Sequence, residues 1–226
     1  SYVKNERFLK ELELEVFLKD ISFPISFLDY ETIAPVIPIW DEKKPYEMIP
    51  YQFSLDIQNR EGQSDEELKH VDYLAKCDVD PSEEFTKKLV ESVPATGSVI
   101  VYYKDFEAGR NKELAKLYPE YKNQLDSIND RMVDLMLPFS KRMLVMPEAV
   151  RSSLKVVYEK LCPNSGHSYS DLNIKNGEQA SYQFLMSVLE GDFDNPQLEK
   201  DNLAYCGLDT LSMKHMLDEL KKIAGK

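Results

Sequence analysis

Three short stretches carry the residues that could do chemistry. Ile25-Ser26-Phe27-Leu28-Asp29-Tyr30-Glu31-Thr32 is an apolar run ending in two carboxylates one residue apart. In a strand, side chains two apart point to the same face, so Asp29 and Glu31 project together. Adjacent carboxylates repel, and a hard divalent cation that takes oxygen ligands, Mg²⁺ or Mn²⁺, compensates them. A solvated turn after the strand is the alternative reading of such a pair. A second acidic place follows Val99-Ile100-Val101-Tyr102, where Asp105 and Glu107 sit at a strand-to-helix junction. The third is Tyr205-Cys206-Gly207-Leu208-Asp209. Four apart on a helix, Tyr205 and Asp209 share a face, one turn from each other. Laid across the end of the first strand, that helix brings Asp209 to the metal and holds Tyr205 above it. Taken alone, the pair also reads as a surface Asp and a half-buried Tyr on an amphipathic helix.

The elements that must position these residues follow from periodicity. Phe8, Leu9, Leu12, Val16 and Phe17 fall near helical spacing and predict a lead-in helix or linker over 1–20, ahead of a domain over 21–226. A strand over 21–31 comes next, then a loop over 33–49 imposed by Pro35, Pro38 and Pro45. Tyr51, Phe53, Leu55 and Ile57 alternate with Gln52, Ser54 and Asp56, predicting a strand with one buried face. A short polar turn around Gly62 joins it to a third strand over 67–75 as an antiparallel hairpin. Asp80-Pro81-Ser82 caps a helix running to 92. The fourth strand spans 98–102 and runs into a helix ending at 117. Helical patterns cover 119–131, 151–160, 177–190 and 195–222, with loops over 140–148 and 162–169. Asp134 falls in a helix-to-loop stretch and reads as structural. The pattern is α/β, with a mixed, partly antiparallel central sheet covered by helices and ligands expected at strand ends.

Composition narrows the function classes. The chain has 226 residues, 42% hydrophobic and 30% charged, enough for a sizeable core. No apolar run approaches the ~20 residues of a membrane helix. The charged start carries no secretory signal, and a first residue of Ser rather than Met suggests a fragment of a longer chain. Cys77, Cys162 and Cys206 are widely spaced, which argues for a reducing, cytoplasmic setting. His70, His167 and His215 lack zinc-ligand spacing. The net charge of −12 argues against a broad nucleic-acid-binding face. It still leaves room for a metal-dependent nuclease with acid at its centre and a local basic rim. Lys104, Arg110 and Lys112, or Lys141, Arg142, Arg151 and Lys155, could meet phosphates, and each is equally a solvated surface residue. Tyr30, Tyr102 and Tyr103 could stack bases, Tyr30 being the more natural core residue.

The order of these motifs resembles the DnaQ-like DEDD 3′–5′ exonucleases, in their tyrosine variant DEDDy, on a ribonuclease H-like fold. Residues 27–32, 101–107 and 205–209 look like their first, second and third motifs. More narrowly, Pro50-Tyr51-Gln52-Phe53-Ser54, Arg131-Met132-Val133-Asp134-Leu135, Ser152-Ser153-Leu154-Lys155 and Tyr205-Cys206 with Asp209-Thr210 are similar to a bacterial subfamily whose domain often ends a chain behind a RecB-like nuclease domain. The resemblance implies a mixed sheet of about five strands flanked by helices. It also implies that Asp29, Glu31, Glu107 and Asp209 hold two Mg²⁺ or Mn²⁺ ions, that Tyr205 orients the attacking water, and that a single-stranded 3′ end of DNA or RNA is the substrate. The second motif departs from its usual Asn-x-x-Phe/Tyr-Asp form: Tyr103 stands at the Asn position and Glu107 at the Asp position, with Asp105 as the competing ligand. That departure, together with the acidity, favours as an alternative a catalytically weak nucleic-acid- or protein-binding module. A phosphoesterase acting on small nucleotides is a third possibility.

Overall fold

The strand bearing the first two acids is the middle of the structure. The computed structural model describes residues 7–76, 78–192 and 194–225; Cys77 lies outside them. In chain order, β1 (Phe8–Leu9) and α1 (Glu11–Lys19) lead to β2 (Ile25–Ile33), β3 (Ile49–Gln58) and β4 (Lys69–Leu74). Then come α2 (Ser82–Ser92), β5 (Val99–Val101), α3 (Lys104–Leu117), α4 (Lys122–Asp130) and β6 (Met132–Asp134). The chain continues through α5 (Leu137–Ser140), β7 (Leu144–Val145), α6 (Leu154–Leu161), α7 (Gly177–Glu190) and α8 (Pro196–Ile223). Five strands make one mixed sheet in the order β4-β3-β2-β5-β6. β2, β3 and β4 pair antiparallel, while β2, β5 and β6 pair parallel.

Helices cover both faces, because β2 alternates its apolar side chains between them. Ile25 and Phe27 pack with Leu14 and Leu18 of α1, Tyr158 of α6 and Met213 and Leu217 of α8. Leu28 and Tyr30 pack the opposite way, against Phe85 of α2, Leu114 of α3, Ile128 of α4 and Phe184 of α7. Asp29 and Glu31 continue the period of Ile25 and Phe27, so they face α8. Gly97, just ahead of β5, has a φ of +82°, and a Cβ there would lie 1.9 Å from the Pro24 carbonyl oxygen. Only glycine lets the turn into β5 pass under the start of β2.

Several sequence expectations need correction. Within the helix or linker expected over 1–20, Phe8–Leu9 instead pairs antiparallel with Leu144–Val145, inside the expected 140–148 loop. The helix is confined to Glu11–Lys19 and buries Leu14 and Leu18 in the main core, so this stretch is a packed part of the fold. Asp134 belongs to a three-residue strand, too short for alternation to show in sequence. β2 runs two residues beyond Glu31, with a register shift between Glu31 and Thr32.

The largest departure is β3, expected to bury one face: all ten of its residues are buried. Its polar face is covered by α8 and hydrogen-bonded to it. Gln52 Nε2 donates to the Asn202 carbonyl (2.9 Å), and the Ser54 and Thr210 hydroxyls lie 3.1 Å apart. Thr210 Oγ1 donates to Asp56 Oδ2 (2.7 Å). Buried polar groups must be paired, so this seam sets where α8 stops along the sheet. Thr210→Val keeps the shape but takes a donor from a buried carboxylate. It should cost about 2 kcal/mol in urea unfolding at pH 7; a change below ~0.5 kcal/mol would show that the seam does not hold the helix.

Candidate metal centre

The seam places Asp209, next to Thr210, over the strand end that bears Asp29 and Glu31. Ligand oxygens of Asp29, Glu31 and Asp209 all lie within 4.8 Å of one another. Glu31 and Asp209 are buried and Asp29 is half-buried. The start of α7 completes the wall: a Cβ on Gly177, its first residue, would lie 3.3 Å from Glu31 Oε2. The positive end of α7 therefore abuts the Glu31 carboxylate, with Asn176 capping the helix through the Gln179 N–H (2.8 Å).

The two acids of the second acidic stretch face different ways. Asp105, in the first turn of α3, is exposed, whereas Glu107 is 2% exposed and turned inward. Glu107 Oε2 has no hydrogen-bond partner among the described residues. Its charge is felt at Asp29 and it feels that of Glu31. Tyr103, at the start of α3, has a φ of +77°, a region where Asn is tolerated and Tyr is strained. Asp134 Oδ1 accepts from the Tyr103 N–H (3.0 Å) and the Met136 N–H (2.9 Å), which pins that junction. Asp134 is thus a structural acid, and its field also reaches Glu107.

Around Asp209 lie two phenols. Tyr205 lies one turn earlier on α8, and Tyr169 donates to Asp209 Oδ1 and lies 3.2 Å from Ser212 Oγ. Burial raises both phenol pKa values, so both keep their protons at neutral pH. Tyr169 was hidden in sequence, being a single aromatic in a stretch read as loop. Cys206 Sγ donates to Asp29 Oδ2 (3.4 Å), a thiol that burial keeps protonated.

Of the expected phosphate contacts, Lys104 Nζ is engaged by the Met132 carbonyl (2.9 Å) and Arg110 by Glu113 (2.8 Å). Lys112, Lys141, Arg142 and Arg151 are exposed. Lys155 is the one whose charge is felt at Asp209 and Glu31, while Arg110 is felt at Glu107. Tyr30 is a core residue, edge-on to Phe85 at 5.1 Å, and Tyr102 donates to the Ser152 carbonyl (2.6 Å). Tyr103 is 51% exposed.

The electrostatics are those of a site short of positive charge. Burial, then Asp209, Glu31 and Glu107, push Asp29 well above the usual carboxylate range. Burial pushes Glu31 and Glu107 up to about 8, and Asp209 is raised as well. Two ionised carboxylates ~5 Å apart repel by about 3–4 kcal/mol at an effective dielectric of ~20. Three such pairs cost about 10 kcal/mol, comparable to the whole stability of a domain, about 5–15 kcal/mol. Hard oxygens, mutual proximity and an unpartnered buried Glu107 oxygen fit Mg²⁺ or Mn²⁺.

A raised carboxylate pKa means that the folded protein holds protons the unfolded chain releases. The metal-free cluster's contribution to stability should therefore be greatest below about pH 4.5 and be lost as pH rises through about 8. His70, clamped between Asp56 and Asp72 and raised to about 10, adds its own loss between its ordinary value and about 10. The discriminating quantity is the Mn²⁺-dependent part. In thermal melts the stabilisation by Mn²⁺ should grow from pH 5 to pH 8.5 and be lost in Asp209→Asn; equal Mn²⁺ effects in both proteins would contradict it.

Comparison with known proteins gives two matches. A family described as a domain of unknown function, DUF2779, matches residues 26–153, a span that includes Asp29, Glu31 and Glu107. The chain is also 26% identical over 253 residues to the uncharacterized protein UU173 of Ureaplasma parvum serovar 3. That match takes 97% of this chain and 35% of the relative, so the chain spans about a third of the curated protein it matches. No solved structure matches.

Proposed function

The chain belongs to the DUF2779 family, and we propose that it is a metal-dependent 3′–5′ exonuclease of the DEDDy type on a ribonuclease H-like fold. The observation that carries this reading is the convergence of Asp29, Glu31 and Asp209 oxygens to within 4.8 Å; Glu107 is not one of that close trio, but it is buried and electrostatically linked to Asp29 and Glu31. The strand order, with three antiparallel strands continued by two parallel ones, supports the same reading.

Asp29, Glu31, Glu107 and Asp209 would hold two Mg²⁺ or Mn²⁺ ions. When bound, such ions lower the pKa of a water and stabilise the departing 3′ oxygen. The chain's own residues orient and hold protons. Tyr205 keeps its Oη proton and is a positioning donor rather than a base. Tyr169 fixes Asp209 from the other side. The water oxygen bonds to phosphorus, the bond from phosphorus to the penultimate 3′ oxygen breaks, and the product is a nucleoside 5′-monophosphate. The substrate is a single-stranded 3′ end, and the setting cytoplasmic. A covalently linked N-terminal nuclease domain would supply the basic grip that a chain of net charge −12 lacks.

The strained Tyr103 and the Glu in place of Asp favour a second reading, a binding module that keeps the fold and has lost turnover. Labelled single-stranded DNA and RNA incubated with Mn²⁺ separate the two. Asp29→Ala and Asp209→Asn should lower the rate by at least ~10³-fold and Glu107→Gln by ~10²-fold, while Asp105→Asn stays near wild type. A wild type with no metal-dependent ladder above the Asp29→Ala background, on either substrate, would leave the binding module. Turnover of dinucleotides as fast as of long strands would point to a small-nucleotide phosphoesterase.

A further inference from the structure

Lys155 occupies an unusual place. It lies in the first turn of α6, and the carbonyl of Ser152 just before that helix accepts from Tyr102 Oη (2.6 Å). The α6 start is thereby tied to the end of β5, from which α3 and Glu107 depart. Lys155 Nζ donates to the Lys175 carbonyl (2.5 Å), two residues before Gly177 and the wall of Glu31. It also lies 4.4 Å from the Tyr205 ring centroid and 4.9 Å from that of Tyr169. No carboxylate forms a direct ion pair with it among the described residues, although it feels the charges of Asp209, Glu31 and Asp29. Two aromatic faces and a carbonyl hold the ammonium beside the acids without letting it collapse onto them.

We propose that Lys155 is a further catalytic residue, whose ammonium contacts a non-bridging oxygen of the phosphodiester being cleaved. The inference rests on the hydrolase reading and deepens it. Charge balance supports it. Four ionised carboxylates and two divalent ions cancel, so Lys155 leaves the loaded site one unit positive, which matches the single negative charge of a phosphodiester. As water adds to phosphorus, negative charge grows on the non-bridging oxygens, and a prepositioned donor there is worth most. Lys155 transfers no proton in this step: it stays an ammonium, and the proton lost by water ends on the departing 3′ oxygen. The competing role is a plain counter-charge to the carboxylates, which would become redundant once cations are bound.

The experiment uses the whole chain, wild type beside Lys155→Met, with Lys155→Arg as a second variant that keeps the charge. Cleavage of a 5′-labelled single-stranded oligonucleotide is measured at saturating Mn²⁺. Binding of the same strand is measured in Ca²⁺, and Mn²⁺ affinity by titration. Lys155→Met should slow turnover on the order of 100-fold, weaken strand binding in Ca²⁺ on the order of 10-fold, and bind Mn²⁺ at least as tightly as wild type. Lys155→Arg should recover part of both losses. Wild-type turnover and strand binding in Lys155→Met would overturn the proposal and leave the hydrolase reading standing. An uncleaved strand whose binding still depends on Lys155 would support the phosphate contact and sink the hydrolase reading instead.

Discussion

Mutual repulsion among buried carboxylates is the constraint on which the rest of this structure depends. Asp29, Glu31 and Asp209 come from two elements, Asp29 and Asp209 being 180 positions apart in sequence, and their oxygens lie within 4.8 Å of one another. Nothing in folding favours such an arrangement by itself: each acid loses water and gains a like-charged neighbour. The chain answers with partial measures. The N-terminus of α7 abuts Glu31, a phenol and a thiol hydrogen-bond the acids, and one ammonium stands nearby. These are dipoles and a single charge, set against four carboxyl groups. The remaining deficit is what a pair of hard divalent ions would fill.

Holding repelling groups together needs a scaffold that does not yield. The buried polar seam between β3 and α8 provides one, through Gln52 to Asn202 and through Thr210 to Ser54 and Asp56. An apolar helix face can slide by a turn at small cost, whereas a face carrying buried hydrogen bonds has one good register. Asp29 pairs across the sheet with Ser54, and Glu31 with Gln52. The residues that lock α8 therefore lie directly beside the residues it must meet. Packing alone holds the helix on the sheet; the polar contacts decide where along the sheet it stops.

Much of this was legible in sequence where a period or a cap was long enough to show. The alternation through Ile25, Phe27, Asp29 and Glu31 put both acids on one face, and the four-residue spacing put Tyr205 beside Asp209. The helix expected over 177–190 is the one observed, capped by Asn176. What stayed hidden has a physical reason in each case. β6 has three residues and β1 and β7 two each, below the length at which alternation can be read. The polar face of β3 looks solvated until α8 is in place, since only tertiary pairing distinguishes a wet Ser54 from a buried one. Tyr169 has no motif at all; it matters because a loop carries it to Asp209. That Asp105 is exposed and Glu107 buried depends on the direction of a helix's first turn, which spacing alone left open.

Diffraction from crystals soaked in Mn²⁺, recorded at the manganese absorption edge, addresses the central claim most directly. The account predicts two anomalous peaks among Asp29, Glu31 and Asp209, one of them within bonding reach of Glu107. A cluster that stays free of manganese while the ion binds elsewhere would contradict it, and would mean that protons alone keep these acids together.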